Sequence, residues 1–298
     1  FLYWTLARID ALPALVWPRL SDTGRKMWRN FLPAAAGAGG MQINLLIDLI
    51  LASLLPVGAI SWLYYADRVA QLPLGIVGIA LGTALLPRLS AAEAGSRPAE
   101  VRDSLAEAVG LAGFLVIPAV AGLVLCGLSI MQGLFVYGAF DESDAQMAAL
   151  ALTAYGCGLP GFVMVKILQT AFYAAGQPGI VLKVSLTTVA INVTGSLFLM
   201  PVLGHVGLAL ATAISGTAAA AIMVVLLARQ NRLSAAFLPG LGKIIVATAV
   251  MGAAVTSLQY GLDNVLHVPA AFDLVIIVGG GGAVYALMSY IIGAVPAG

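Results

Sequence analysis

Tyr64-Tyr65-Ala66-Asp67-Arg68 sets a full negative charge beside a full positive one, inside a run from 60 to 87 that is otherwise apolar enough to cross a bilayer. An ionisable side chain at that depth costs about 2.5–3.5 kcal/mol on insertion scales, so it normally faces a bundle interior or watery cavity and marks a substrate or ion path. The stretch therefore sets two expectations: a membrane-spanning helix, and a polar site within it.

The rest of the chain agrees. Of its 298 residues 61% are hydrophobic and 9% charged, with a mean hydropathy of +1.02, whereas soluble domains carry about 25% charged residues. That excludes an ordinary soluble domain. Windows of about 20 mainly apolar residues fall at 31–54, 60–87, 105–136, 146–175, 180–201, 206–228, 243–261 and 272–294, which gives about eight spans. Polar positions recur at the helical period of 3.6 rather than at 2, which argues against a porin-like barrel. The fold class expected is an all-α polytopic membrane bundle.

Phe1 to Leu6 is a short apolar scrap without a basic n-region or cleavage site, and it reads as the tail of a preceding helix rather than a signal peptide. The expectation is a piece of a longer protein whose N-terminal part lies upstream. A net charge of +1 gives no sign of a nucleic-acid partner. Cys126 and Cys157 lack metal or redox spacing and read as buried small hydrophobes.

Basic residues fix an orientation. Arg8, Arg19, Arg25, Lys26 and Arg29 precede the first full span; Arg88, Arg97 and Arg102 follow the second; Lys183 follows the fourth; Arg229, Arg232 and Lys243 follow the sixth. The alternate loops carry Asp141, Glu142, Asp144, Asp263, His205 and His267 instead, with both histidines read as solvated. By the positive-inside rule both ends of the chain are cytoplasmic. The stretch from Trp17 to Arg29 reads as an amphipathic connector lying along the cytoplasmic interface.

Within the spans, Tyr64, Arg68 and Gln71 follow i, i+4, i+7 spacing and share a helix face, with Asp67 about 100° away. Pro73 removes a ladder hydrogen bond and frees the carbonyl of Val69, which should bend the helix just past the charges. The fourth span carries a stripe of Lys166, Gln169, Thr170 and Tyr173. Lys166 reads either as a lysine paired to an acid for helix docking or as a cavity-lining cation. Asn44 with Asp48, Ser185 with Thr188, Asn192 and Ser196, and Thr212 with Ser215 supply oxygens that suit a monovalent or hard divalent cation; interhelical hydrogen bonding is the favoured reading for the Ser and Thr residues singly, and Asp48 resists it because an unpaired carboxylate at that depth is costly. Gly78 with Gly82, and Gly207, Ala211, Ser215 and Ala219, place small residues every fourth position and read as close helix packing. No Walker loop, HExxH or nucleophile elbow occurs, so no enzyme is expected.

At Gln42-Ile43-Asn44, at Ser61-Trp62-Leu63-Tyr64-Tyr65-Ala66-Asp67-Arg68, and at Gly78-Ile79-Ala80-Leu81-Gly82-Thr83-Ala84-Leu85-Leu86-Pro87, the chain resembles the MurJ/MviN family of bacterial lipid II flippases. The likeness continues through Val165-Lys166-Ile167, Phe172-Tyr173 and Gly207-Leu208. The resemblance implies the MOP exporter architecture: a connector at 1–30, a second six-helix lobe at 31–232 and two extra C-terminal helices at 233–298, with the first lobe upstream as partner. It implies a flippase that carries undecaprenyl-pyrophosphate-linked peptidoglycan precursor across the bacterial cytoplasmic membrane by alternating access. Arg68 matches the family's cavity arginine, Asp67 its acidic neighbour and Lys166 a lysine in the corresponding helix, and Tyr64 and Gln71 share the helix face of Arg68. The sodium site of some members corresponds to Asp48, Asn192, Ser196, the carbonyl of Leu208, and Thr212, with Ser196 standing where some members place an acid. The rival readings are a MOP exporter of another lipid-linked oligosaccharide or drug, a non-transporting lipid-binding scaffold, and a membrane transferase.

Overall fold

The computed structural model of the chain describes residues 22–234, 238–262 and 270–294. The expectations for the apolar start, Arg8, Trp17, Arg19, Asp263 and His267 lie outside the described residues, as do the side chains of Lys26 and Arg29.

All regular structure among the described residues is helical. In chain order it runs α1 (Asp22–Ala52), α2 (Ala59–Pro73), a π-helical turn (Leu74–Ile79), α3 (Ala80–Ala94), α4 (Pro98–Leu125), α5 (Gly127–Phe135), α6 (Glu142–Ala174), α7 (Pro178–Leu203), α8 (His205–Arg229), α9 (Leu238–Gly261) and α10 (Ala270–Ile292). Among the described residues, seven helices are long and apolar enough to cross a membrane, with Ala59–Ala94 counted as one continuous rod. α1 covers the span read at 31–54 and runs without a break from Asp22, through most of the stretch expected to form a connector.

The bundle is organised around α6, the most enclosed of the spans. It packs against α2, the π turn, α3, α4, α5 and α8, while α1 lies along α7 and α7 along α8. α9 pairs with α10 outside this group, α9 resting on α4 and α10 on α5. Five of those seven spans, with α1 alongside them, thus form one group, and the last two spans make an added pair; the sequence reading gave about eight spans, and α1 is the one that the seven do not include.

Between apolar helices in lipid, association rests on close van der Waals approach rather than on the hydrophobic effect. The small residues provide that approach. A Cβ added to Gly158 would lie 2.6 Å from the Cα of Ala213, and one on Gly161 2.7 Å from the Cα of Thr217, so α6 and α8 meet backbone to backbone. Gly207, Ala211, Ser215 and Ala219 are all buried on α8, as their spacing predicted.

Three expectations change. The span read at 105–136 is two helices, because Cys126 leaves helical geometry (φ −100°, ψ 6°) and α5 starts afresh at Gly127, beside the Ala149 carbonyl of α6. Cys157 is exposed on a face of α6 turned away from the bundle, whereas Cys126 is buried as expected. His205 is not solvated. It is buried at the start of α8, with Nε2 3.0 Å from the Met147 carbonyl and its ring 5.0 Å from that of Trp62.

Candidate functional site: polar groups within the bundle

Gly58 begins the approach to the site. Its φ of +102° is open to glycine, and a Cβ there would strike the indole of Trp62, which lies over it. Trp62 Nε1 donates to Asp144 Oδ1 at 2.7 Å, and the Tyr65 ring packs on Phe135 and Phe140 at 4.7 and 5.1 Å. The outer end of α2 is thereby pinned to the start of α6.

Inward from that anchor, Tyr64, Arg68 and Gln71 emerge on one exposed face, as their spacing predicted. The Arg68 guanidinium stands 4.9 Å from the centre of the Tyr64 ring, in cation–π range. Asp67 is half-buried and accepts a hydrogen bond from the Gln71 amide. Although Asp67 attracts Arg68 electrostatically, the ion pairs among the described residues are Arg88–Glu107, Arg97–Glu100 and Arg232–Glu93, at the end read as cytoplasmic. The planar donor fork of Arg68 is left uncommitted, and such a fork matches a phosphate bidentately.

Just past the charges the α-helical ladder widens into the π turn, directly after Pro73, where the sequence predicted a lost hydrogen bond. Lys166 packs its stem against this turn: a Cβ on Gly78 would be 3.4 Å from Lys166 Cγ, and one on Gly82 3.5 Å from the Lys166 carbonyl. α2–α3 and α6 therefore run parallel, with Trp62 level with Asp144 and Gly78 level with Lys166. Lys166 lies ten residues along from Arg68, about 15 Å on the helix axis, so the two cations occupy different levels of one wall. Lys166 has no ion pair among the described residues.

A second group gathers where α1, α7 and α8 meet. Asn44 Nδ2 donates to Asp48 Oδ2 at 3.1 Å, and Asn192 Nδ2 donates to Thr212 Oγ1 at 2.9 Å. The Thr212 hydroxyl has two acceptors in reach, the Leu208 carbonyl at 3.0 Å and the Asp48 carboxylate. Asn192 and Ser196 are fully buried. Asp48 Oδ1, Asn192 Oδ1 and Ser196 Oγ are buried without a hydrogen-bond partner among the described residues. Unsatisfied buried oxygens are costly, and a hard cation is the ligand that oxygens of this kind accept. On this observation the residues matched to a sodium site fit one.

Sequence reading missed two participants. Asp144 was visible only as a loop acid. Tyr155 stands in the electrostatic field of both Asp67 and Asp48. Its signal was present: Tyr155 and Lys166 are eleven residues apart, three turns of one helix, and so share the face that α2 covers.

A parallel pair of rods carrying uncommitted cations within apolar spans, in an all-helical bundle with an added C-terminal pair, belongs to a polytopic membrane protein of the MOP transporter fold. Solved structures agree: an inward closed lipid II flippase MurJ is similar with a TM-score of 0.74 at 22% identity, over 96% of this chain and 58% of that one. A MOP superfamily transporter from Pyrococcus furiosus is similar with a TM-score of 0.55 at 14% identity, over 92% of this chain and 64% of that one. The family model described as Lipid II flippase MurJ matches residues 1–268, and the chain belongs to that family. Relatives named probable lipid II flippase MurJ include one from Rhizobium tropici, 32% identical over 95% of this chain and 54% of the relative, and one from Haemophilus influenzae, 32% identical over 80% and 48%. The chain spans about half the length of these relatives.

Proposed function

We propose that this chain is the second lobe and C-terminal helix pair of a lipid II flippase in the bacterial inner membrane. Residues 31–232 form the lobe and 233–298 the pair, and a first lobe upstream completes the transporter. The substrate is undecaprenyl pyrophosphate bearing the disaccharide pentapeptide, moved from the cytoplasmic to the outer leaflet for cell-wall synthesis. The observation that carries this reading is Arg68, exposed at membrane depth with no ion pair among the described residues. A guanidinium there is too costly to keep without a task, and a pyrophosphate is the counter-charge its geometry fits.

In this mechanism Arg68 grips the pyrophosphate, Tyr64 holds the guanidinium from behind, and Gln71 occupies Asp67 so that the acid does not neutralise Arg68. Lys166, deeper along the same wall, offers a second cation to the headgroup as the lobes rock, while the polyprenyl tail stays in lipid. The lobe translocates its substrate without covalent change. Both ends of the chain face the cytoplasm, in keeping with Arg88, Arg97 and Arg232 clustering at one end of the bundle. Asp48, Asn192, Ser196, Leu208 and Thr212 would hold a sodium ion, which when bound supplies a positive charge that biases one state of the lobe. Membrane potential acts on the same charges, at about 2.3 kcal/mol per elementary charge per 100 mV.

The test is translocation of lipid II by the full-length transporter in liposomes. Loss on Arg68→Ala with folding intact supports the reading. Undiminished lipid II translocation by that variant would overturn it in favour of a MOP exporter with another substrate.

A further inference from the structure

Of the eight buried side-chain atoms that lack a hydrogen-bond partner among the described residues, four are oxygens of one cluster: Asn44 Oδ1, Asp48 Oδ1, Asn192 Oδ1 and Ser196 Oγ. They come as two i, i+4 pairs, one on α1 and one on α7, and those two helices pack along each other. Each helix therefore presents two oxygens, one turn apart, on one face.

The hydrogen bonds explain why oxygens are what remains. The Asn44 amide turns its nitrogen to Asp48 Oδ2, and the Asn192 amide turns its nitrogen to Thr212 Oγ1. With both amide nitrogens directed into bonds inside the cluster, both amide oxygens are left unpaired beside an unpaired carboxylate oxygen. A cluster satisfied by hydrogen bonding alone would leave no such excess of acceptors, since buried polar atoms are normally paired.

We propose that Asn44 is a direct ligand of this site and that the set of Asn44, Asp48, Asn192 and Ser196 makes it selective for a monovalent cation. The proposal rests on the cation reading given above and extends it to a residue outside the family-derived ligand set. The selectivity follows from charge. The cluster holds one carboxylate, Asp48; Asp67, the other acid whose field reaches it, lies on α2 and accepts from the Gln71 amide. A monovalent ion leaves the site neutral. A divalent ion would leave an uncompensated buried charge, which is expensive, and calcium sites ordinarily recruit more carboxylates than one. Neutral oxygens also exclude zinc and copper, which favour sulfur and imidazole. Asn44 supplies the oxygen that a second acid at position 196 would otherwise give, and it does so without adding charge.

The experiment is thermal unfolding of the full chain in lipid nanodiscs, titrated with NaCl, KCl or CaCl2 at constant ionic strength held with choline chloride, together with direct binding of radioactive sodium. The wild type should be stabilised by Na⁺ and not by Ca²⁺. Asn44→Ala should raise the half-saturating Na⁺ concentration about 10- to 100-fold, the range seen when groups around a bound metal are lost. Asn44→Asp should create Ca²⁺-dependent stabilisation that the wild type lacks, and this gain cannot be mimicked by misfolding. If Na⁺ neither binds nor stabilises the wild type, the cation reading itself falls. If Na⁺ acts on the wild type and is lost in Asp48→Ala, but Asn44→Ala binds it unchanged and Asn44→Asp gains no Ca²⁺ response, only the assignment of Asn44 is overturned.

Discussion

Asp48 of α1 and Asp67 of α2 stand close enough for their carboxylates to repel each other, with Tyr155 of α6 in the field of both. The oxygen cluster and the Arg68 face are therefore not electrically independent, although they belong to different helices.

Asp67 should accordingly strengthen cation binding at Asp48 from a distance. For unit charges on neighbouring helices at an effective dielectric constant of about 20, the interaction is on the order of 1–2 kcal/mol, roughly tenfold in affinity. Asp67→Asn keeps the side-chain shape and should weaken Na⁺ binding by about that factor. Sodium binding unchanged by Asp67→Asn would show that the two regions are screened from each other.

Arg68 should matter through its geometry as well as its charge. A hydrogen bond to a charged group is worth about 1.5–3 kcal/mol, so Arg68→Ala should lower lipid II affinity roughly 10- to 100-fold. Arg68→Lys keeps the charge but offers one ammonium in place of a bidentate fork, and its affinity should fall between the two. Binding of lipid II to reconstituted transporter, read by native mass spectrometry, distinguishes this order from a pure charge effect, in which lysine would match arginine.

The contact between α6 and α8 leaves no room for a methyl group. Gly158→Ala would place its Cβ 2.6 Å from the Ala213 backbone and should cost about 1–3 kcal/mol through overpacking. Gly122→Ala in α4 is the control, with nothing within 4 Å of the added atom; there the better helix propensity of alanine should leave stability level or raised. Thermal unfolding in detergent would read both, and equal midpoints for the two variants would contradict the backbone-to-backbone packing.

Much of this was legible beforehand because the bilayer sets a strict rule: apolar windows give the spans, and charges inside them give the site. Arg68, Gln71 and Tyr64 share a face because helical spacing alone places them there. What local spacing could not supply was register between helices. That Asp144 receives Trp62, that Tyr155 stands in the field of two carboxylates, and that His205 is buried on Met147 all depend on how α6 slides against α2 and α8. Cys126 breaks its span at a Cys-Gly step, where Gly127 is only a weak local sign of the hinge between α4 and α5.

Acid should loosen the outer end of α6 before the rest. The Asp141 carboxyl is held below the usual carboxylate range by the backbone N–H of Asp144 and by the Ser143 hydroxyl. A group whose value is depressed on folding stabilises the fold above its unfolded value of about 3.9 and loses that contribution as pH falls through its folded value. Protection of the first-turn amides of α6 should therefore be constant near neutrality and drop below about pH 4. In Asp141→Asn, which can still accept from the Asp144 N–H but does not titrate, hydrogen exchange corrected for intrinsic rates should lose that acid-dependent step.

Asp144 joins two structural tasks, and its variants can separate them. Its Oδ1 accepts from Trp62 Nε1 and its Oδ2 accepts from the Asp141 N–H, closing a capping box. Asp144→Ala strands a part-buried indole N–H and half of the cap, at a combined cost of about 2–3 kcal/mol. Asp144→Asn retains one oxygen, which can serve only one of the two donors, and should lose about half as much. Because Trp62 lies a turn and a half from Arg68 on α2, release of the indole also frees the helix that carries the guanidinium. Trp62→Phe, which keeps the ring against Gly58 and His205 but has no N–H to strand, should be milder than Asp144→Ala. Thermal unfolding of the three variants gives the order Ala, then Asn, then Phe in decreasing loss, and a Trp62→Phe loss as large as that of Asp144→Ala would show that ring shape, not the hydrogen bond, holds α2 to α6.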